Sequence, residues 1–216
     1  DLSQRNFLGR GWALSLRLRG GASSQQGQIS FTDPWLFDRP LAGGADLFST
    51  RRVFAEYNLA STGAGVRLAH PFAEFWRWFT GYQIRNDNIS HVQGRVSTFA
   101  TAQTGDHLTS VVSGSIGRDN RDNVFLPTRG GIVSLSTDVA GLGGDSHYLK
   151  SIATTTYFYP LWSDHILSGR LEGGYGMGLG DQRLPLFERF YLGGPNSIRA
   201  FKFRQVSPLD ENGLAV

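Results

Sequence analysis

Trp76-Arg77-Trp78-Phe79-Thr80-Gly81-Tyr82-Gln83-Ile84-Arg85 is the stretch whose pattern decides the fold. Successive side chains of an extended strand point to opposite faces, so Trp76, Trp78, Tyr82 and Ile84 face one way. Arg77, Gln83 and Arg85 face the other. The same alternation runs outward in both directions. In residues 12–19, Trp12, Leu14, Leu16 and Leu18 oppose Ala13, Ser15, Arg17 and Arg19; residues 26–32, 41–48, 62–68, 132–139 and 167–177 repeat it. Residues 108–118 alternate less cleanly, and 148–159, rich in Thr and Tyr, have no clear facing. The pattern predicts about nine strands, no amphipathic helix and an all-β antiparallel meander. Residues 1–5 read as the tail of a strand and 213–216 as the start of another. The chain is therefore expected to be cut at both ends from a larger sheet.

Composition narrows the class. The chain has 216 residues, 28 of them glycine and none cysteine. Disulfide scaffolds and thiolate chemistry are excluded. No apolar run approaches the roughly 18 residues of a membrane helix, and no secretory signal opens at Asp1. The formal charge of +3 is spread along the chain without a Lys/Arg block, which argues against a nucleic-acid partner.

The connectors carry a second signal. Every other one is brief and rimmed with aromatics: residues 6–11, 33–40, 70–75, 119–131 and 160–165. All five tryptophans, Trp12, Trp35, Trp76, Trp78 and Trp162, lie in or beside them. The intervening connectors, 20–25, 89–107 and 140–147, are Gly-, Ser-, Thr- and Gln-rich and are expected to be long polar loops. A meander brings alternate turns to the same end, so one end carries an aromatic girdle, as in an outer-membrane barrel. A soluble sandwich or lipocalin-like barrel has no need to gather tryptophan at one end. With the apolar face in lipid, the charges Arg17, Asp46, Arg67, Arg170 and Glu172 line a wet lumen, together with Arg19, Arg77, Arg85 and Asp138. Asp46 and Arg67, on successive strands, are placed to pair. Arg170 and Glu172 are expected to meet a folded-in loop.

Chemistry-bearing patterns are sparse. The five histidines lack metal-ligand spacing, so no metal site is expected. Asp119-Asn120-Arg121-Asp122-Asn123 is oxygen-rich but lacks the glycine and closing glutamate of an EF-hand, and reads as an Asx turn. No nucleophile elbow occurs. Residues 173–180 are Gly-rich yet precede a loop rather than a phosphate-cradling helix, which suits a bend or a close loop contact. No catalytic site is expected.

One segment remains: Phe187-Glu188-Arg189-Phe190-Tyr191-Leu192-Gly193-Gly194-Pro195-Asn196-Ser197-Ile198-Arg199-Ala200-Phe201. Its Gly-Gly and Pro-Asn pairs are turn-formers, and a single cation, Arg199, sits between apolar neighbours. Glu188 to Gly194 followed by Asn196 to Phe201 resembles the sixth-loop signature of the BamA superfamily of outer-membrane assembly barrels. That pattern is Phe-Tyr-x-Gly-Gly, a short spacer, then Val/Ile-Arg-Gly-Phe/Tyr. Asp119-x-x-Asp122, Phe125-x-Pro127 and Gly130 resemble the turn before that family's ninth strand. Gln4-x-Asn6-Phe7-Leu8-Gly9-x-Gly11 resembles the turn entering its third. Ala200 departs from the family's glycine.

The resemblance implies that residues 1–216 are part of a roughly 16-stranded barrel. They would run from the end of strand two to the start of strand twelve, with the periplasmic domains and terminal strands absent. Residues 181–212 would be a long loop inserted into the lumen, with Gly193, Gly194, Asn196, Ser197, Ile198, Arg199, Ala200 and Phe201 as its functional motif. The implied function is assembly and insertion of outer-membrane β-barrels through a weakened seam, without a cofactor. Strand augmentation and a thinned bilayer would lower the barrier. The implied partners are the outer-membrane bilayer, nascent outer-membrane proteins and accessory assembly lipoproteins. The alternatives are a two-partner secretion or TamA-like transport pore, and a barrel enzyme or porin.

Overall fold

The alternating segments form ten antiparallel strands in one sheet, ordered as in the chain. They are β1 (Leu2–Phe7), β2 (Trp12–Gly20), β3 (Ser24–Asp33), β4 (Ala42–Val53), β5 (Asn58–Ala73), β6 (Trp76–Ser90), β7 (Gly105–Asp119), β8 (Gly130–Gly144), β9 (Tyr148–Pro160) and β10 (Ile166–Gly178). Two 3₁₀ turns, Leu36–Asp38 and Leu186–Glu188, complete the named elements. The structure is a computed structural model and describes residues 1–54, 57–92, 102–194, 197–201 and 206. Among these, β1 and β10 are the edges of an open sheet.

The register explains the alternation. Leu14, Phe31, Ala45, Val66, Tyr82, Val112, Val139, Leu149 and Met177 stand opposite one another from β2 to β10 and share one apolar row. Cross-strand partners project to the same side of a sheet. This row also settles the facing of β9, whose odd-numbered residues belong to the apolar face. The adjacent row, on the opposite face, holds Ser15, Ser30, Asp46, Gly65 and Gln83.

The distribution of burial is inside out. Ile29, Leu47, Val66, Val133, Leu135, Leu167 and Leu171 of the apolar face are all exposed. Buried apolar residues form two small clusters on the polar side: Tyr57, Ile89 and Leu186, and Val111, Ala140 and Tyr148. A continuous apolar wall of this size needs a nonaqueous neighbour. From Trp76 to Ile84 the apolar rows of β6 span about 27 Å of strand at 3.4 Å per residue, or about 20 Å of height at the usual barrel tilt. That approaches the ~25 Å lipid-facing band of outer-membrane barrels.

Two expectations are corrected. The strand count is ten rather than about nine, because residues 2–7 pair with β2 through Leu2–Leu16, Ser3–Ser15, Gln4–Leu14 and Phe7–Trp12. Two of the three expected long polar loops are mostly strand, 20–25 reducing to residues 21–23 and 140–147 to residues 145–147, whereas residues 91–104 still separate β6 from β7 and lie mostly outside the described residues. The aromatic-rimmed turns range from 74–75, the shortest, to 120–129, the longest. The reason is physical. On the row holding Ser49, Thr62 and Asn86 the outward face is already polar. A strand wet on both faces loses its hydrophobic period while keeping its ladder. Compositional asymmetry survives: the five tryptophans sit in or next to turns 8–11, 34–41, 74–75 and 161–165, all at one end of the sheet. Residues 213–216, expected to start a strand, lie outside the described residues.

Candidate functional site

Beyond β10 the chain folds back over the polar face. Pro185, with φ −54°, opens the 3₁₀ turn Leu186–Glu188, in which the Glu188 N–H donates to the Pro185 carbonyl at 3.0 Å. Proline suits that position because its fixed φ already matches the turn. Leu186 is buried with Tyr57 and Ile89, and Phe187 and Tyr191 pack against that cluster. Leu184 packs against Val111, Ala140 and Tyr148. These contacts drive the return of the chain. They also carry Glu188 onto the sheet, with its side chain only 13% exposed.

There the carboxylate meets three side chains from two strands. Arg85 of β6 donates from Nη2 to Glu188 Oε1; Lys150 Nζ of β9 lies 2.9 Å from Oε2, and the Tyr148 hydroxyl donates to Oε1 at 3.1 Å. Arg85 is shared: its Nε donates at 2.8 Å to Asp87, which is 1% exposed and also accepts from Ser61 and Thr109. Each cation also faces a ring beside the glutamate, Arg85 at 5.7 Å from the Phe187 centroid and Lys150 at 5.2 Å from Phe190. Glu188 is thus flanked by two aromatics that stack on its own ion-pair partners. Burial would push its carboxyl upward, but Arg85 and then Lys150 outweigh it and hold it below the ordinary range.

The wall is shaped to admit the segment. A Cβ on Gly174 would stand 2.5 Å from Cε1 of the Phe190 ring, and one on Gly176 would stand 2.9 Å from Leu184 Cδ2. The Gly-rich run of β10 is therefore a trough for the returning loop. Gln182 adds polar fastening, accepting from the His147 N–H at 3.0 Å and donating to the Asp145 carbonyl at 3.0 Å.

The other polar-face charges divide by position. Arg67 pairs with Asp46 and donates to Thr32 at 2.5 Å, while Ser30 donates to Asp46. Arg67 lies across Gly44, where a Cβ would come within 2.7 Å of its guanidinium carbon. Arg17 pairs loosely with Asp1 at 3.5 Å. Arg170 and Glu172 bond each other at 2.6 Å, both exposed. Among the described residues they meet each other, and the described part of the loop lies further along β10.

At the distal part of the loop, Gly193 and Gly194 are buried with φ of 115° and 95°, conformations that favour glycine. The Gly193 N–H donates to Ser197 Oγ at 2.8 Å, and the Gly194 N–H donates to the Phe201 carbonyl at 2.9 Å. Ile198, Arg199, Ala200 and Phe201 are exposed. Ala200 is not among the described residues with positive φ, so its methyl meets no left-handed strain. Asn196 lies outside the described residues.

The girdle residues are placed as follows. The Trp12 indole N–H donates to Asp33 at 3.1 Å under the Arg10 guanidinium, 4.9 Å from the ring centroid. Trp76 and Trp78 lie on the apolar face beside Phe72 and His70. Trp35 and Trp162 are exposed in turns. The oxygen-rich 119–123 stretch is an Asx turn, as expected: the Asn123 side chain accepts from the Phe125 and Leu126 N–H groups at 2.8 and 3.1 Å.

Sequence reasoning missed Asp87, Tyr148 and Lys150 and gave Glu188 no role. Asp87 was within reach, since it continues the period of two from Gln83 and Arg85. The partners of Glu188 lie 103, 40 and 38 positions away, and no local pattern links them.

The Omp85 superfamily domain matches residues 6–216. Outer membrane protein assembly factor BamA of Nitratidesulfovibrio vulgaris is 29% identical over 211 residues, covering 97% of this chain and 27% of that protein. A sorting and assembly machinery component 50 homologue of Bos taurus is 30% identical over 213 residues, covering 95% of this chain and 44% of that protein. The chain thus spans less than half the length of these relatives. The crystal structure of BamA from Haemophilus ducreyi lacking POTRA domains 1–3 superposes with a TM-score of 0.84 at 20% identity, over 98% of this chain and 44% of that one. The open ten-stranded sheet has the fold of a segment of that barrel.

Proposed function

Because this chain belongs to the Omp85 superfamily, we propose that it forms the wall and lumen loop of a barrel that assembles and inserts β-barrel proteins into the bacterial outer membrane. Residues 1–216 act as one barrel segment, with 181–212 as its lumen loop. The names of the bacterial relatives support the outer membrane as its place and an assembly factor as its role. The observation that carries the reading is the seating of Glu188 on Arg85, Lys150 and Tyr148 across the polar face, while the opposite face is apolar and exposed. Such a strut braces the wall from inside and leaves strand edges free to template incoming strands.

The role is mechanical rather than enzymatic. It needs no cofactor, since burying a client's outward face supplies the driving force. Nascent outer-membrane proteins are the substrates, the bilayer is the second partner, and accessory assembly lipoproteins are the third. Trp12, Trp35, Trp76, Trp78 and Trp162 mark the girdle at one membrane interface. Arg17, Asp46, Arg67, Arg170 and Glu172 face the lumen, and the 193–201 motif, with Arg199, docks against the inner wall.

The test is replacement of a bacterial host's own assembly factor by the full-length protein that contains this segment. Folded outer-membrane porin should persist, and Arg199→Ala should lower it several-fold. Loss of folded porin together with a large ion conductance in planar bilayers would instead assign a secretion pore. Unchanged porin with Arg199→Ala would remove Arg199 from the mechanism.

A further inference from the structure

We infer that the β7–β8 turn, residues 120–129, is a membrane wedge: a rigid hairpin tip that seats Val124, Phe125 and Leu126 in the lipid interface beyond the barrel wall. The three are consecutive, and they are 65%, 91% and 77% exposed. Exposure of a lone leucine is ordinary, but three adjacent large apolar side chains at a loop tip are not.

The turn spends nearly all its polar groups on holding that tip. Asp122 accepts from the N–H groups of Asn123, Thr128 and Arg129 at 2.9, 2.9 and 3.2 Å, and from the Thr128 hydroxyl. Its carboxyl is held far below the ordinary range by these bonds, that of Thr128 foremost. Asn123 takes the Phe125 and Leu126 N–H groups. Arg121 donates to the Val124 carbonyl at 3.1 Å while gripping Asp119 through two nitrogens. Asn120 and Gly131 close the base, exchanging bonds of 3.1 Å. The tip is therefore presented with its two central amide donors already satisfied, the condition for leaving water.

Two further observations point to lipid as the occupant. Cations flank the tip: Arg118 and Arg129 are exposed, matching the phosphates of a headgroup layer. Other turns at the same end also present apolar tips, Leu8, Phe37 and Trp162 being 72%, 81% and 74% exposed. A bilayer surface meets every turn of a ring, whereas a docked protein meets one side of it.

The chain has no cysteine, so Phe125→Cys gives one labelling site here. The full-length protein, with any cysteine outside this segment replaced, is labelled with an environment-sensitive fluorophore. It is then reconstituted in phosphatidylethanolamine–phosphatidylglycerol vesicles carrying nitroxides at headgroup or shallow acyl depth. The label at 125 should be quenched by shallow-acyl nitroxides about twofold more than one at Thr128→Cys, and be shielded from iodide. Asp122→Ala should erase that difference if the frame holds the tip. Equal iodide access at both sites would overturn the wedge. So would shielding that appears only when a soluble periplasmic domain is added, which would assign a protein dock. Retained quenching in Asp122→Ala would overturn the frame's part. Depth is read independently of porin assembly, so failure here leaves the assembly reading standing.

Discussion

Two loops at opposite ends of the sheet each turn on one acidic residue, and they satisfy it in opposite ways. Asp122 closes the β7–β8 turn on itself, its partners all within seven positions. Glu188 is satisfied by wall residues 38 to 103 positions distant. The first loop is a self-contained object attached to the barrel. The second has its shape only because the wall is there. Loss of the acid should therefore be a local event in one case and a long-range one in the other.

Glu188→Gln should have the largest effect. It leaves Lys150 without its carboxylate partner and Arg85 with Asp87 alone. Breaking a buried pair by removing one partner typically costs about 3–5 kcal/mol. In the full-length protein this should appear as a lower heat-modification midpoint on gels and rapid protease cleavage within residues 181–191. Gly174→Leu comes next, because the new side chain needs the space of the Phe190 ring. Overpacking of about 1–3 kcal/mol should loosen the loop with every ion-pair residue intact. Protease cleavage matching that of Glu188→Gln would show that trough and ion pair hold one docked state.

How much of this was legible follows from the same contrast. The Asx turn could be read from residues 119–123 because its bonds are local, and the sheet because a period of two repeats in nearly every strand. Asp46 with Arg67 could be read because adjacent strands place them close. The Glu188 seat could not. It requires the loop's return path, which is set by Leu184 and Leu186 finding two buried clusters and by glycines whose neighbours lie in another segment. Strand ends beyond the apolar belt were also hidden, since polar residues on both faces leave no hydrophobic period.

Acid titration should separate the two loops more gently. Both carboxyls are held below their ordinary values. The stability each contributes is therefore complete above the unfolded value, about 3.9 for Asp and 4.3 for Glu. It fades as pH falls through the lower folded value. Glu188 loses charge in a seat that retains Arg85 and Lys150, so protease access to 181–191 should rise below about pH 4. Protonation of Asp122 should raise amide exchange at Thr128 and Arg129 without exposing that segment. The smallest effect belongs to Arg170→Ala. Its pair with Glu172 is exposed on both sides, so the midpoint should move by less than about 1 kcal/mol.

The central claim is that residues 181–191 are docked on the inner wall across β10, with Glu188 as the fastening. Gly176→Cys with Leu184→Cys tests it most directly, because Leu184 Cδ2 lies 2.9 Å from where a Cβ on residue 176 would be. Treated in intact outer membranes with a short thiol cross-linker, the full-length double variant should form an intramolecular link in most molecules. That link should disappear when Glu188→Gln is added. Absence of the link in the Glu188 protein would contradict the docked loop, and persistence of the link in Glu188→Gln would contradict the fastening.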